Sequence, residues 1–315
     1  MTSAAAPPGP PPPAAPFATA ADLERALAKA SYLADSRLAL VAWLALAMDK
    51  PLLVEGPAGV GKTDLARALA EALGRSMVRL QCYEGLDEAK ALYEWDYPKQ
   101  MLFTQLVRES VAGQTAGAKT LAEAMDRIDE GAAAFFGPKF LVERPLLRAL
   151  TSDAPVVLLV DEVDRADPEF EAFLLELLAE RQISIPEVGT VKAKHAPLVI
   201  LTTNGTRDMT DALRRRCLHA FVDFPTPSRE VAILELRVPG IARALAEKLA
   251  ALAASVRQMD LRKAPSISET VDFARAMMLL GKSALDPETA REALGLLVKH
   301  EEDRAKVEAV LPTLP

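Results

Sequence analysis

Eight residues limit this chain more than any others. Gly56–Thr63, GPAGVGKT, fit the pattern G-x-x-x-x-G-K-T without a mismatch, between the apolar run PLLVEG and the helix-forming run DLARALAEAL. A strand, a glycine-rich turn and a helix in that order form a phosphate cradle. Glycines let backbone N–H groups wrap phosphate oxygens, and the helix N-terminus adds a fixed positive field. The pattern assigns Gly56, Pro57, Ala58, Gly59, Val60, Gly61, Lys62 and Thr63 to nucleotide binding. Lys62 is expected to reach the outer phosphates and Thr63 to hold a magnesium ion.

The rest of the chain is read around that cradle. Short apolar runs recur between helical stretches: PLLVEG (51–56), MVRLQC (77–82), VVLLVDE (156–162), PLVILTTN (197–204) and HAFVDF (219–224). Runs without polar alternation imply burial on both faces, the mark of a mostly parallel sheet between helix layers, an α/β fold. FPTPS (224–228) is a natural break, and the pattern after it is almost wholly helical. The expected organisation is a Pro/Ala-rich disordered tail over 1–18, an α/β nucleotide-binding core over 19–225, and a helical domain over 226–315.

Two further strand ends carry chemistry. In VVLLVDEVD an apolar strand delivers Asp161 and Glu162 to its carboxyl edge, where open α/β sheets bind ligands. Asp161 is expected to hold magnesium and Glu162 to act as general base toward the attacking water. LVILTTN ends in Asn204, whose amide is placed to orient water against the outermost phosphate, although asparagines at strand ends also serve as turn formers. Between these strands, ADPEFEAFLLELLAERQ reads as a helix. Asp167 is at the N-cap, Pro168 at the first position, and Glu169 and Glu171 favour the positive end; Phe170, Phe173, Leu174, Leu177 and Leu178 form its apolar stripe. A hairpin is expected in ISIPEVGTV, immediately after it.

Composition narrows the classes. The net charge of −7 argues against gripping nucleic acid by bulk charge. The longest apolar run, Leu38–Met48, has eleven residues, too few for a membrane span of about 20. The two cysteines, Cys82 and Cys217, lie far apart with no metal-binding spacing, so both read as core thiols in a reducing compartment. The start of the chain lacks the pattern of a secretory signal, and the expected location is the cytoplasm. No N-K-x-D or L-S-G-G-Q motif occurs, which disfavours a small GTPase or an ABC subunit.

In this order the three motifs resemble those of the AAA+ ATPases. More narrowly, GPKF (137–140), DEVDRA (161–166) and LLELLAERQISI (174–185) are similar to MoxR-family signatures. YEGLDEAKALYEWDYPKQML, EFEAFLLELLAERQISIPEVGT and DALRRRC resemble the CoxD-like subgroup. The likeness implies a five-stranded parallel core, a helical lid, and ATP with magnesium as cofactors. It also gives the run Arg214–Arg216 a meaning beyond a solvated basic turn. Arg216 would be a finger reaching a neighbouring subunit's triphosphate, in a homo-oligomeric ring, by analogy a hexamer. It further implies a client protein to be remodelled, a metalloenzyme awaiting its cofactor, and a partner with a von Willebrand A-type domain.

One departure from the pattern stands out. Where MoxR relatives carry a lid arginine that contacts the triphosphate, this chain has Ser268 and Glu269; Arg262, Lys263 and Arg275 are nearby cations. Tyr83, Tyr93, Trp95 and Tyr97 crowd into an insert around 83–103, readable as a client surface or as rings packed under a loop. The competing functional classes are a DNA-acting AAA+ machine of clamp-loader or initiator type, and a nucleotide-binding scaffold that barely hydrolyses.

Overall fold

The computed structural model describes residues 16–102, 140–185, 189–282 and 285–310. Most of the Pro-rich tail and most of GPKF lie outside these residues, as does the end of the aromatic insert.

The order of elements begins with helices α1 (Ala20–Lys29) and α2 (Ser36–Ala47), then strand β1 (Leu52–Glu55), helix α3 (Lys62–Ala72) and strand β2 (Met77–Gln81). Next come α4 (Glu88–Leu92), β3 (Tyr93–Trp95), β4 (Leu141–Glu143), α5 (Pro145–Thr151), β5 (Val157–Asp161) and α6 (Pro168–Glu180). Strands β6 (Gln182–Ile185), β7 (Gly189–Lys192) and β8 (Leu198–Thr203) lead to the short helix α7 (Asp211–Arg216) and to β9 (Leu218–Phe221). Helices α8 (Pro227–Arg237), α9 (Arg243–Arg257), α10 (Ile267–Leu279), α11 (Pro287–Leu297) and α12 (Glu301–Val310) complete the described chain.

Five strands form one parallel sheet in the order β2-β5-β8-β1-β9, the α/β architecture expected from the sequence. β5 and β8 are buried at every residue, which is why their sequences show no polar alternation. The edge strands differ from expectation. β2 alternates, with Val78 and Leu80 inward and Arg79 and Gln81 outward, because an edge strand keeps part of one face in water. In β9 only Ala220 is buried. The expected hairpin forms as β6 paired antiparallel with β7, and β3 pairs antiparallel with β4.

The chain's internal contacts divide it into two units. One comprises residues up to Gly74, Leu201–Thr206, and Cys217 onward; the other comprises Arg75–Ile200 and Arg207–Arg216. Within the first, helices α8 to α12 share an apolar cluster that includes Leu234, Leu249, Leu252, Phe273, Met277 and Leu294. Caps fix the helix starts there. Thr19 and Asp22 form a capping box on α1, and Ser266 and Glu269 form one on α10. Burial pulls the Glu269 carboxyl upward, but the Ser266 N–H and hydroxyl and the Lys263 ammonium outweigh it and hold the group below its ordinary value.

In the second unit α6 starts where the sequence places it, with two corrections. Asp167 has extended backbone at the N-cap, but its side chain makes no capping bond; its carbonyl accepts from Phe170 N instead. Phe170, Leu174 and Leu177 are buried as the stripe requires, while Phe173 and Leu178 are half-buried. Glu171 is no surface dipole residue either. It is fully buried, with Arg207 against it. Among the described residues no helix is long and apolar enough to cross a membrane.

Candidate functional site: a phosphate loop and an acidic strand end

The phosphate loop is a backbone construction. β1 delivers Gly56, whose N–H donates to Thr203 O at 3.3 Å, and a Cβ there would lie 1.9 Å from Val222 O, so only glycine fits. Gly59 (φ +79°) and Gly61 (φ +93°) occupy the left-handed region, which side chains disfavour. Gly61 is the N-cap of α3 and has no side chain to cap the first-turn N–H groups, which suits them to an anion. A Cβ on Gly59 would meet Ser266 Cβ at 2.2 Å, and Ile267 N donates to Gly59 O at 3.2 Å. The start of α10 therefore rests directly on the loop.

Lys62 is 6% exposed, and its ammonium donates to Gly56 O at 2.7 Å, Pro57 O at 2.8 Å and Asn204 Oδ1 at 2.7 Å. The structure thus brings together Lys62 and Asn204, which lie 142 positions apart in sequence. A buried ammonium needs such partners, and a phosphate can take over from the two carbonyls. Beside the loop is a cavity of about 520 Å³, lined in part by Tyr32, Gly59, Gly61, Arg229, Ile267 and Arg275. Burial pushes the Tyr32 hydroxyl's pKa up, and Arg229 Nη2 donates to Leu33 O at 2.7 Å.

Of the three cations near the expected lid arginine, only Arg275 lines this cavity, as does Ser268. Arg262 lies 3.8 Å from Glu302, and Lys263 lies 3.2 Å from Glu269. Tyr32, Arg229 and Arg237, none of them expected from the sequence, also line it. No local signal marks them, because they become neighbours only through folding.

The second unit holds the acids. Asp161, at the end of β5, is 3% exposed, and its Oδ2 accepts from Arg79 Nε at 3.0 Å and Nη2 at 2.6 Å. Arg79 Nη2 also reaches Gln81 Oε1 at 2.5 Å, which turns the Gln81 amide nitrogen toward Glu162 Oε2 at 3.0 Å. Arg165 Nη1 contacts the same Glu162 oxygen at 3.2 Å. Glu162 itself has φ +56°, a left-handed conformation that costs roughly 1–3 kcal/mol in a non-glycine residue and clusters at functional positions. Arg79 and Gln81 were not singled out in the sequence, where MVRLQC reads as one apolar run. Two outward polar residues, two apart on a strand, sit in register with Leu159 and Asp161 of β5.

Arg214, Arg215 and Arg216 end α7, all exposed, with Arg216 Nη1 donating to Ala212 O at 3.3 Å. In the aromatic insert Tyr93 and Trp95 are half-buried and meet edge to face at 5.7 Å, while Tyr97 and Met101 are 66% and 67% exposed.

A glycine-rich turn between β1 and α3, with a buried lysine and a parallel sheet of this strand order, defines a P-loop nucleotide-binding protein of the AAA+ fold. A family model described as "AAA domain (dynein-related subfamily)" matches residues 51–217, just over half the chain, and the chain belongs to that family. It is 31% identical to the chaperone protein ClpB of Corynebacterium diphtheriae over 219 residues, which are 64% of this chain but 21% of ClpB. It is 30% identical to an uncharacterized protein of Staphylococcus aureus strain USA300 over 183 residues, 56% of this chain and 57% of that one. The chain therefore spans only part of the length of these curated relatives. Among solved structures, a point mutant of Thermotoga maritima RuvB resembles it in fold, with a TM-score of 0.50, 16% identity, and coverage of 88% of this chain and 75% of that one.

Proposed function

We propose that this chain is an ATPase whose hydrolysis is completed by a neighbouring copy and drives the remodelling of another protein. The observation that carries the reading is the Lys62 ammonium, buried in a glycine cradle beside Asn204 and next to a cavity with room for a nucleotide. Lys62 and the N–H groups of Gly59–Thr63 bind and neutralise the outer phosphates. Asn204 orients the attacking water. The Glu162 carboxylate accepts the proton that water loses as its oxygen bonds to the terminal phosphorus, and ADP departs with the electron pair of the broken P–O bond.

Thr63 and Asp161 would hold magnesium by their chemistry, since a hydroxyl and a carboxylate are the hard oxygen donors that ion takes alongside substrate phosphates, and Asp161 holds a cationic partner, Arg79. Bound there, magnesium would neutralise phosphate charge. Arg216 is the finger supplied in trans, its planar cation stabilising charge that develops on the transferring phosphoryl group. Its exposure on the short helix α7 supports that reading. Activity then depends on assembly, and a hexameric ring is the form we propose.

The MoxR-like and CoxD-like stretches favour a cytoplasmic chaperone with a metalloenzyme client and a von Willebrand A-type partner. The core runs over 19–225 and the helical lid over 226–315, with Arg275 in the place of the lid arginine. Tyr97, Met101 and Leu102, all exposed, are the proposed client contacts. The test of the ATPase reading is turnover with magnesium and ATP by wild type and by Lys62→Ala. Wild type should turn over and the variant should not; an inactive wild type at every protein concentration would overturn it.

A further inference from the structure

Glu171 is the one carboxylate in α6 buried to 0% exposure, and its two oxygens serve different masters. Oε1 accepts from Arg207 Nη2 at 2.5 Å; Oε2 accepts from the backbone N–H of Thr210 at 2.9 Å. The same Arg207 nitrogen donates to Ala166 O at 2.8 Å, and Nη1 donates to Asp208 O at 3.1 Å. Thr210 is the residue just before α7. Its carbonyl accepts from Leu213 N and from Arg214 N, both at 3.1 Å, so the first turn of that helix hangs from it. Leu213, fully buried, and Met209, 5% exposed, are the apolar anchors of this segment; the three arginines face outward.

Burying this ion pair has no clear benefit to stability, since apolar residues of similar volume serve a core as well or better. What it supplies is geometry. A six-residue helix has too few hydrogen bonds to hold its own direction, and here its entry is fixed at two points by one carboxylate.

We propose that the buried Glu171–Arg207 pair is a positioning mount that aims α7, and with it Arg216, at the neighbouring copy's nucleotide. The inference rests on the reading of Arg216 as a finger acting in trans. It assigns Arg207, four residues before α7 begins, to support and not to phosphate contact, because its guanidinium is committed to Glu171, Ala166 O and Asp208 O.

The test is complementation between chains. The double variant Glu171→Met/Arg207→Met removes both charges together, so that no unpaired charge is left buried. It should bind a fluorescent ATP analogue within about twofold of wild type, yet turn over at least about tenfold more slowly, as a misaimed finger requires. Mixed with Glu162→Gln chains, whose site is dead but whose finger is intact, it should regain turnover, as Arg216→Ala chains should under the same mixing. Recovery with Arg216→Ala but not with the double variant would overturn the mount, because the damage would then lie in the variant's own site. So would wild-type turnover by the double variant alone. Failure of Arg216→Ala to recover would bring down the trans finger and the mount with it. Should the double variant lose analogue binding, Glu171→Gln carries the same comparison with the same outcomes.

Discussion

The phosphate loop and the end of β5 hold charge in opposite ways. At the loop, the Lys62 ammonium sits among the backbone carbonyls of Gly56 and Pro57, and close packing at Gly56 and Gly59 leaves no room for a side chain. At the end of β5, the carboxylates of Asp161 and Glu162 are held by side chains of the adjacent strand, Arg79 and Gln81. Backbone cannot rearrange without moving strands, whereas side chains rotate in place. The loop is therefore a preset receptor, and the acids are set in an adjustable frame. Damage to the first should abolish binding, and damage to the second should retune turnover.

The harshest way to break this contrast is Gly59→Val. It places a side chain on Ser266 Cβ and imposes a β-branched residue on a left-handed backbone. Nucleotide affinity, read by titration with a fluorescent ATP analogue, should fall at least about 100-fold, equivalent to about 2.7 kcal/mol. Binding within a few-fold of wild type would show that the loop is not preset.

Arg79→Met sharpens the other side. Without its guanidinium, the Gln81 amide loses the partner that orients it and Asp161 loses its ion pair with Arg79. Turnover should change by about three- to tenfold, and the magnesium concentration giving half-maximal rate should fall, since the proposed metal would compete with one fewer internal cation. An unchanged magnesium dependence would mean that Arg79 is only a surface partner of the strand.

These contrasts follow how the chain encodes each region. The loop is readable because all its parts are contiguous: GPAGVGKT specifies the turn, the lysine and the helix start in eight residues. β5 and β8 are readable because burial on both faces leaves an unbroken apolar run. Pairings across long stretches are not readable in the same way. Asn204 is marked by its strand end, but its bond to Lys62 appears only on folding. Glu171 looks like a helix-dipole residue because nothing nearby in sequence announces that Arg207 will cover it. The edge strand β2 reads as continuous because its outward residues are only two, although that alternation is what gives Asp161 and Glu162 their partners.

A smaller effect concerns the cysteines. Burial pushes both Cys82 and Cys217 up to about 12, and the negative charges of Asp161, Asp164 and Glu162 add to it at Cys82. At pH 8 only about one thiol in ten thousand would be ionised in the folded protein, against about a quarter in an unfolded chain. Alkylation by iodoacetamide should therefore be slow in native protein and become rapid on unfolding, with native labelling rising as pH increases. Cys82 is buried and Cys217 is half-buried, not the second core thiol expected from the sequence, so fast labelling of native protein at pH 8 would contradict the shielding of both.

Smallest of all is the capping box on α10. Glu269 has a depressed pKa in the fold, so its contribution to stability is present above the carboxylate's unfolded value and is lost as pH falls through the folded one. Glu269→Gln should lower the melting temperature by no more than a few degrees at pH 7, and the difference from wild type should shrink toward pH 3. A difference that grew on acidification would contradict the assignment.

The most direct measurement of the whole account is Glu162→Gln assayed for both ATP binding and single-turnover hydrolysis. We expect binding within about twofold of wild type together with hydrolysis at least about 100-fold slower, because the cradle is intact and the proposed proton acceptor is gone. Hydrolysis at the wild-type rate, or binding lost along with it, would contradict the separation of a preset phosphate loop from the carboxylate proposed to take the water's proton.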